Sequence, residues 1–202
     1  MNPRHAVTGL SRFSYESIMK PSLGPNAKPG DAPRYSVTIL MPKSDTAAKA
    51  RIDAAIEAAK QYGAAKKIFK EGTPLDRLQT VVYDGDGFRR DGYTRFGKEC
   101  AGCWVFTAST PADKPPVVVD GGRNPIIDPT EIYSGMYGRV GVDFFPYSTG
   151  GNQGIGCSLI NVQKLRDGEP LAGARASVDD DFGDDLGDIG NTAYGQAFDP
   201  LS

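Results

Sequence analysis

Histidine is almost missing: His5 is the only one in 202 residues. Neither a Ser-His-Asp nor a Cys-His set can therefore be assembled, which removes the common nucleophilic hydrolases and transferases. Cysteine is scarce too. Cys100, Cys103 and Cys157 make an odd number, which argues against a disulfide framework and fits a reducing compartment. Cys100-x-x-Cys103 would be half of a zinc site, but a single further cysteine and one remote histidine do not complete it, so reduced, packed thiols are expected. No run approaches the roughly 18 consecutive apolar residues of a membrane span, and the first residues lack the apolar stretch of a secretory signal. The sequence reads as intracellular, without membrane partners, and as one main domain of about 150 residues with appendages.

Positive charge is missing from the last 26 residues. From Ser177 to Ser202 there is no lysine or arginine, but there are seven aspartates: Asp179, Asp180, Asp181, Asp184, Asp185, Asp188 and Asp199. The whole chain has 23 basic and 25 acidic residues, so residues 1–176 carry 23 against 18, a formal charge of +5. A basic body attracts polyanions, and an acidic segment on the same chain can compete for the same surface. Low hydrophobic density and recurrent glycine predict that residues 177–202 are disordered. At 5 to 6 Å times the square root of length, such a tail spans about 25 to 30 Å. Two parts are expected: a domain over 1–176 and a tail over 177–202.

Glycine and proline are abundant, at 25 and 15 residues, and they punctuate short β-rich runs. Residues 10–20 alternate as a first strand, with Phe13, Tyr15 and Met19 on one face. Pro21, Pro25, Pro29 and Pro33 then impose a long loop before a second strand over 34–41. Ser44 is expected to cap a helix running to about Tyr62, with Ile52, Ile56 and Ala59 on its packed face and Gly63 as its stop. Lys66, Lys67 and Lys70 form a basic cluster beyond it. Further strands are expected over 78–83, 102–108, 116–119, 132–147 and 155–165. Gly135, Gly138 and Gly141 in the longest of these suggest a bent strand of a small closed barrel. The fold class is therefore mainly β: an OB-fold-like Greek-key barrel with one principal α-helix, an extended N-terminal loop and an acidic C-terminal tail.

The richest chemical constellation is the segment 88–98. Phe88, Arg89, Arg90, Tyr93, Arg95, Phe96 and Lys98 interleave cations with aromatics on a glycine-punctuated loop, ahead of a strand bearing Trp104. Guanidinium and ammonium groups pair with phosphates, and exposed rings offer stacking faces worth about 1 to 3 kcal/mol per base. A second group, Tyr133, Tyr137 and Arg139, shares the odd-numbered face of the long strand with Phe145 and Tyr147, opposite Val140, Val142 and Phe144. Either group of rings serves as a binding platform or as barrel core. Asp84-Gly85-Asp86-Gly87 reads as a turn, since the position where a calcium loop needs its last acid is Arg95. The glycine-rich 150–156 stretch precedes a strand and lacks a Walker lysine, so it is weak evidence for a nucleotide site. A metal-dependent nuclease built on Asp84, Asp86 and Glu99 is a minor alternative, because the spacing does not specify one. No enzyme and no cofactor are expected.

Read together, Arg12-Phe13-Ser14-Tyr15, the 37–45 stretch before the helix, Gly102-Cys103-Trp104-Val105-Phe106, Val117-Val118-Val119-Asp120, Glu131-Ile132-Tyr133-Ser134-Gly135 and the 159–171 stretch resemble a family of phage single-stranded DNA-binding proteins. The resemblance covers roughly residues 10–172. It implies an OB-type, non-enzymatic protein that coats single strands in phage DNA replication, recombination or repair, in the cytoplasm of an infected bacterial host. It also implies an acidic tail that tempers DNA affinity and contacts replication or recombination proteins. Such tails often finish on an aromatic residue, whereas Phe198 stands four places from the end here. The competing reading is an interaction or virion structural module whose tail recruits a basic partner.

Overall fold

The structure is a computed structural model that describes residues 2–24 and 27–171. The described strands and helix belong to the unit Met1–Pro170, and the boundary at residue 176 read from the sequence lies outside the described residues. The tail aspartates and Phe198 lie outside the described residues.

Among the described residues, eight strands and one long helix make up this unit. In chain order they are β1 (His5–Val7), β2 (Ser11–Ser22), β3 (Arg34–Pro42), α1 (Thr46–Ala65), β4 (Tyr83–Asp84), β5 (Cys103–Pro111), β6 (Val117–Val119), β7 (Tyr137–Thr149) and β8 (Asn152–Arg166). Antiparallel pairing joins β7 to β2, β2 to β3, and β3 to β5. A parallel bridge joins β5 to β8, and β8 returns antiparallel to β7. Those five strands close on themselves, which is the Greek-key barrel that the sequence suggested. β1 and β6 extend the wall beside β7 and β8, and β4 adds a short edge on β5. No helix among the described residues is long and apolar enough to cross a membrane.

Strand alternation sets the core. Phe13, Ile39 and Phe106 pair across three strands and point inward, where they are fully buried with Val140, Val142, Phe144 and Leu159. Burying each such side chain stabilises the fold by about 1.5 to 3 kcal/mol. The phase read for β7 holds, because the irregularities are carried by its partner: Gly141 pairs with Asn161 and Val142 with Leu159, leaving Ile160 as the extra residue.

Other expectations are corrected. β2 bulges between Ser14 and Ser17, and Tyr15 takes φ 45° there and is 69% exposed. It therefore parts from Phe13, with which simple alternation had grouped it. The helix is capped by Asp45, not Ser44: the Asp45 carboxylate accepts the Ala48 amide at 2.9 Å. Gly63 lies inside the helix and does not end it. A Cβ there would stand 2.3 Å from the Phe69 ring and 2.7 Å from Pro146, so glycine is present to let the helix approach β7. Reversal comes at Lys67, which adopts φ 53°, and the Ile68 amide closes onto the Gly63 carbonyl at 2.9 Å. The strand expected over 78–83 reduces to Tyr83–Asp84 plus a bridge from Gln79 to Gly154. β7 starts only at Tyr137, after a 3-10 turn at Pro129–Glu131.

Candidate nucleic-acid interface

Residues paired across a sheet share a face. The register therefore strings Arg166, Tyr137, Arg12, Leu40, Val105 and Tyr83 into one row across six strands, on the side opposite Phe13, Ile39 and Phe106. The next rows along the same face are Ser14, Thr38 and Thr107, then Ser17, Ser36 and Ser109, then Ser22 with Arg34. Thr38 and Thr107 share a hydrogen bond of 2.9 Å, and Arg34 Nε donates to Ser109 Oγ at 3.2 Å. The face is an apolar strip of Leu40 and Val105 bordered by hydroxyls and guanidiniums.

Over one end of this face stands an arm formed by residues 87–97. Its two limbs meet in a bridge between Phe88 and Arg95 and in the Arg89 amide donating to the Thr94 carbonyl at 2.7 Å. At its tip the Asp91 carboxylate accepts the amides of Tyr93 and Thr94 at 3.0 and 2.8 Å, and these bonds with Thr94 hold its pKa below the usual carboxylate value. Its root is the Asp84-Gly85-Asp86-Gly87 turn, where a Cβ on Gly85 would lie 2.1 Å from the Cys100 carbonyl oxygen. Lys43, just past β3, inserts its ammonium between Asp84 and Asp86, at 2.5 and 2.6 Å. That ammonium, aided by the Asp86 and Gly102 amides, lowers both carboxyl pKa values, and the two carboxylates raise that of Lys43.

Between the arm and the sheet lies a cleft of about 290 Å³. Ser14, Thr38, Leu40, Val105 and Thr107 line it from the sheet, Tyr15 from the bulge, and Arg89, Arg90 and Phe96 from the arm. Tyr83 and Phe96 meet at 6.2 Å between ring centroids. Burial pushes the Tyr83 phenol up, so its hydroxyl stays protonated and available to donate. Glu99 is the acid in the lining.

The arginines are deployed differently from the lysines. Among the described residues every ion pair uses a lysine or His5, and no arginine pairs with a carboxylate. Five of the arginines lie on rings: Arg89 over Phe96 at 5.6 Å, Arg95 over Phe88 at 4.7 Å, Arg12 and Arg166 over Tyr137 at 5.8 and 4.1 Å, and Arg4 over Tyr62 at 4.1 Å. A guanidinium stacked on a ring keeps its planar edge of donors free, which suits phosphate.

The family model described as "Enterobacter phage Enc34, ssDNA-binding protein" matches residues 4–191. The chain belongs to this family. A solved structure described as the single-stranded DNA-binding protein from bacteriophage Enc34 in complex with ssDNA is similar, with a TM-score of 0.65 and 28% identity over 83% of this chain and 89% of that one. Protein p50 of Acyrthosiphon pisum secondary endosymbiont phage 1 is 30% identical over 156 residues, 75% of this chain and 79% of its own length. The bacteriophage T7 single-stranded DNA-binding protein gp2.5 shares the fold, with a TM-score of 0.58, 20% identity and coverage of 87% and 98%.

In this member of the Enc34 family the residues singled out from the sequence are only partly brought together. Arg89, Arg90 and Phe96 line the cleft. Phe88, Tyr93 and Arg95 are exposed on the arm, Tyr93 at 78%, and Lys98 is exposed in the 3-10 turn at its far root. Tyr137 lies on the cleft's own sheet face, four strands away from Tyr83. Trp104 does not join them. It projects from β5 on the Phe106 side, packed against the core beneath the ammoniums of Lys49 and Lys43, at 4.4 and 5.3 Å from its ring. Tyr133 precedes β7 and is tied through its hydroxyl to Asp167 and Gly168 at 3.1 Å. Arg139 donates to Gln163 at 2.7 Å in a separate groove beside β1 and β6. Asp84 and Asp86, weighed as metal ligands with Glu99, both grip Lys43, and no cluster of three metal-ligating groups occurs among the described residues. Arg12, Tyr15, Arg34, Tyr83 and Arg166 were missed. Arg12 and Ser14 flanking the apolar Phe13 were the readable signal for an outward polar face, whereas nothing local marks Tyr15.

Proposed function

We propose that this protein binds single-stranded DNA without regard to sequence, in the cleft between the arm and the sheet. The observation that carries this reading is that Arg89, stacked on Phe96, and Arg90, held by Gln79, line one cleft with Tyr83 and Tyr15, and neither guanidinium pairs with a carboxylate. Aromatic faces stack any base and guanidiniums hold the backbone, so affinity follows strandedness and not sequence. Family membership supports the reading, since a relative at 28% identity is described in complex with ssDNA. The role that follows is coating of exposed strands during phage DNA replication, recombination or repair. The acidic tail tempers DNA affinity from its tether and offers Phe198 to protein partners.

The test is fluorescence anisotropy of a labelled oligothymidine of about 16 nucleotides, the upper site size of one such barrel, against the full chain and a chain ending at Ala176. A duplex competitor and two salt concentrations complete it. Salt-sensitive binding that survives the duplex and tightens on truncation is expected. Absence of binding by both proteins would refute the reading and leave a protein-interaction module. Equal affinity of the two proteins would remove the tail's competitive role alone.

A further inference from the structure

Tyr137 carries two guanidiniums on one ring, Arg166 at 4.1 Å and Arg12 at 5.8 Å from the centroid. The register explains the meeting: Tyr137 pairs with Arg12 on β2 and with Arg166 on β8, so the three stand side by side at the end of the row that begins at Tyr83. Arg12 is held in place by neutral acceptors. Its Nε donates to the Gly135 carbonyl at 3.3 Å and its Nη2 to the Glu169 carbonyl. Neither arginine pairs with a carboxylate, and the neighbouring Asp167 is already taken by the Lys164 ammonium at 2.7 Å and the Tyr133 hydroxyl. Two like charges on one ring repel each other. The ring and the carbonyls offset part of that repulsion, and an anion lying between the two forks would offset the rest while accepting their free N–H groups.

We propose that Arg12 and Arg166, seated on Tyr137, form a phosphate clamp, a second contact for the DNA backbone separate from the cleft beneath the arm. The inference rests on the single-strand reading above and adds a direction to it. Four strand spacings separate Tyr137 from Tyr83, about 19 Å at 4.8 Å each. The bound strand therefore crosses β4, β5, β3, β2 and β7 in turn, and about six nucleotides at a stacked spacing of 3.4 Å cover the distance. Tyr137 in this role carries cations and does not stack on a base. Its ring is further fenced by Gly168, where a Cβ would come within 2.7 Å of it.

The experiment compares oligothymidines of about 4 and about 16 nucleotides, the bounds of one barrel's site, on the full chain and on Arg166→Ala and Arg12→Lys variants. The short strand is read by competition. The clamp predicts that Arg166→Ala weakens the long strand about tenfold at low salt and lowers its salt slope by about 0.7, the value for one phosphate, while the short strand binds as before. Arg12→Lys keeps the charge and loses the fork, so it weakens the long strand and leaves the slope in place. An unchanged slope and affinity for the long strand in Arg166→Ala would overturn the clamp, as would an equal loss at both lengths, which marks a general structural effect. Failure of the unaltered protein to bind either strand would instead overturn the single-strand reading on which the clamp depends.

Discussion

Replacing Gly63 with alanine sets two opposed effects against each other, and the structure decides between them. In an unhindered helix interior the change stabilises by about 1 kcal/mol, because alanine loses less backbone freedom on folding than glycine. At this position the new methyl would sit 2.3 and 2.6 Å from two carbons of the Phe69 ring and 2.7 Å from the Pro146 Cβ. Phe69 is itself in the core and Pro146 belongs to β7, so relief requires moving a packed ring and shifting the helix off the barrel. Overpacking of that kind costs about 1 to 3 kcal/mol. The net expectation is a loss of about 0 to 2 kcal/mol, with a Tm lower by up to about 8 °C in a protein of this size. Thermal unfolding by circular dichroism measures it. Shortening the ring in a Gly63→Ala, Phe69→Leu double variant should show a favourable coupling energy between the two sites, because the methyl then has space. A rise in Tm for Gly63→Ala alone would refute the argument that close helix–barrel approach, and not helix termination, accounts for this glycine.

Three further outcomes follow from the site. Arg89→Ala with Arg90→Ala removes two cations from the cleft lining and should reduce the salt slope by about 1.4, so that the advantage of the unaltered protein shrinks about sevenfold between 50 and 200 mM salt; parallel slopes in an anisotropy titration would take these residues out of the interface. The Lys43 anchor of the arm should be constant across neutral pH. The lowered pKa values of Asp84 and Asp86 place its loss on the acid side, below their ordinary 3.8, and the raised pKa of Lys43 places the other limit above its ordinary 10.5. Limited proteolysis of the 87–97 arm should therefore be flat from pH 5 to 9, and Lys43→Met should raise cleavage throughout; a transition inside that window would contradict the assignment. Cys100 is buried beside Glu99, and its thiol is pushed up to about 11 mainly by that burial. Alkylation at pH 8 should be slow in the native protein and fast after denaturation; rapid native labelling would show the arm root to be open.

Local patterns alone settled a good deal of this molecule. Alternation along β7 separated Val140, Val142 and Phe144 from Arg139 and Phe145, and it survived because the extra residue Ile160 belongs to β8. The apolar spacing of Ile52, Ile56 and Ala59 marked the packed side of the helix, and the Asp-Gly turns marked the root and tip of the arm. These features depend on residues a few positions apart, whose periodicity is a property of the chain itself. Tertiary structure decided the rest. Tyr15 faces outward because β2 must absorb one residue more than β3 between two hydrogen-bonded pairs. Trp104 was assigned by proximity to the 88–98 segment, yet strand parity carries it to the core side of β5. The cleft collects Ser14, Thr38, Thr107, Tyr83 and Arg89 from five separate stretches, and only barrel closure sets the register that brings Arg12, Tyr137 and Arg166 into one row. Composition could announce a basic body with an acidic tail. Which cations and rings share a face is fixed by pairings between residues far apart in the chain, such as Arg12 with Tyr137, and no local pattern encodes those.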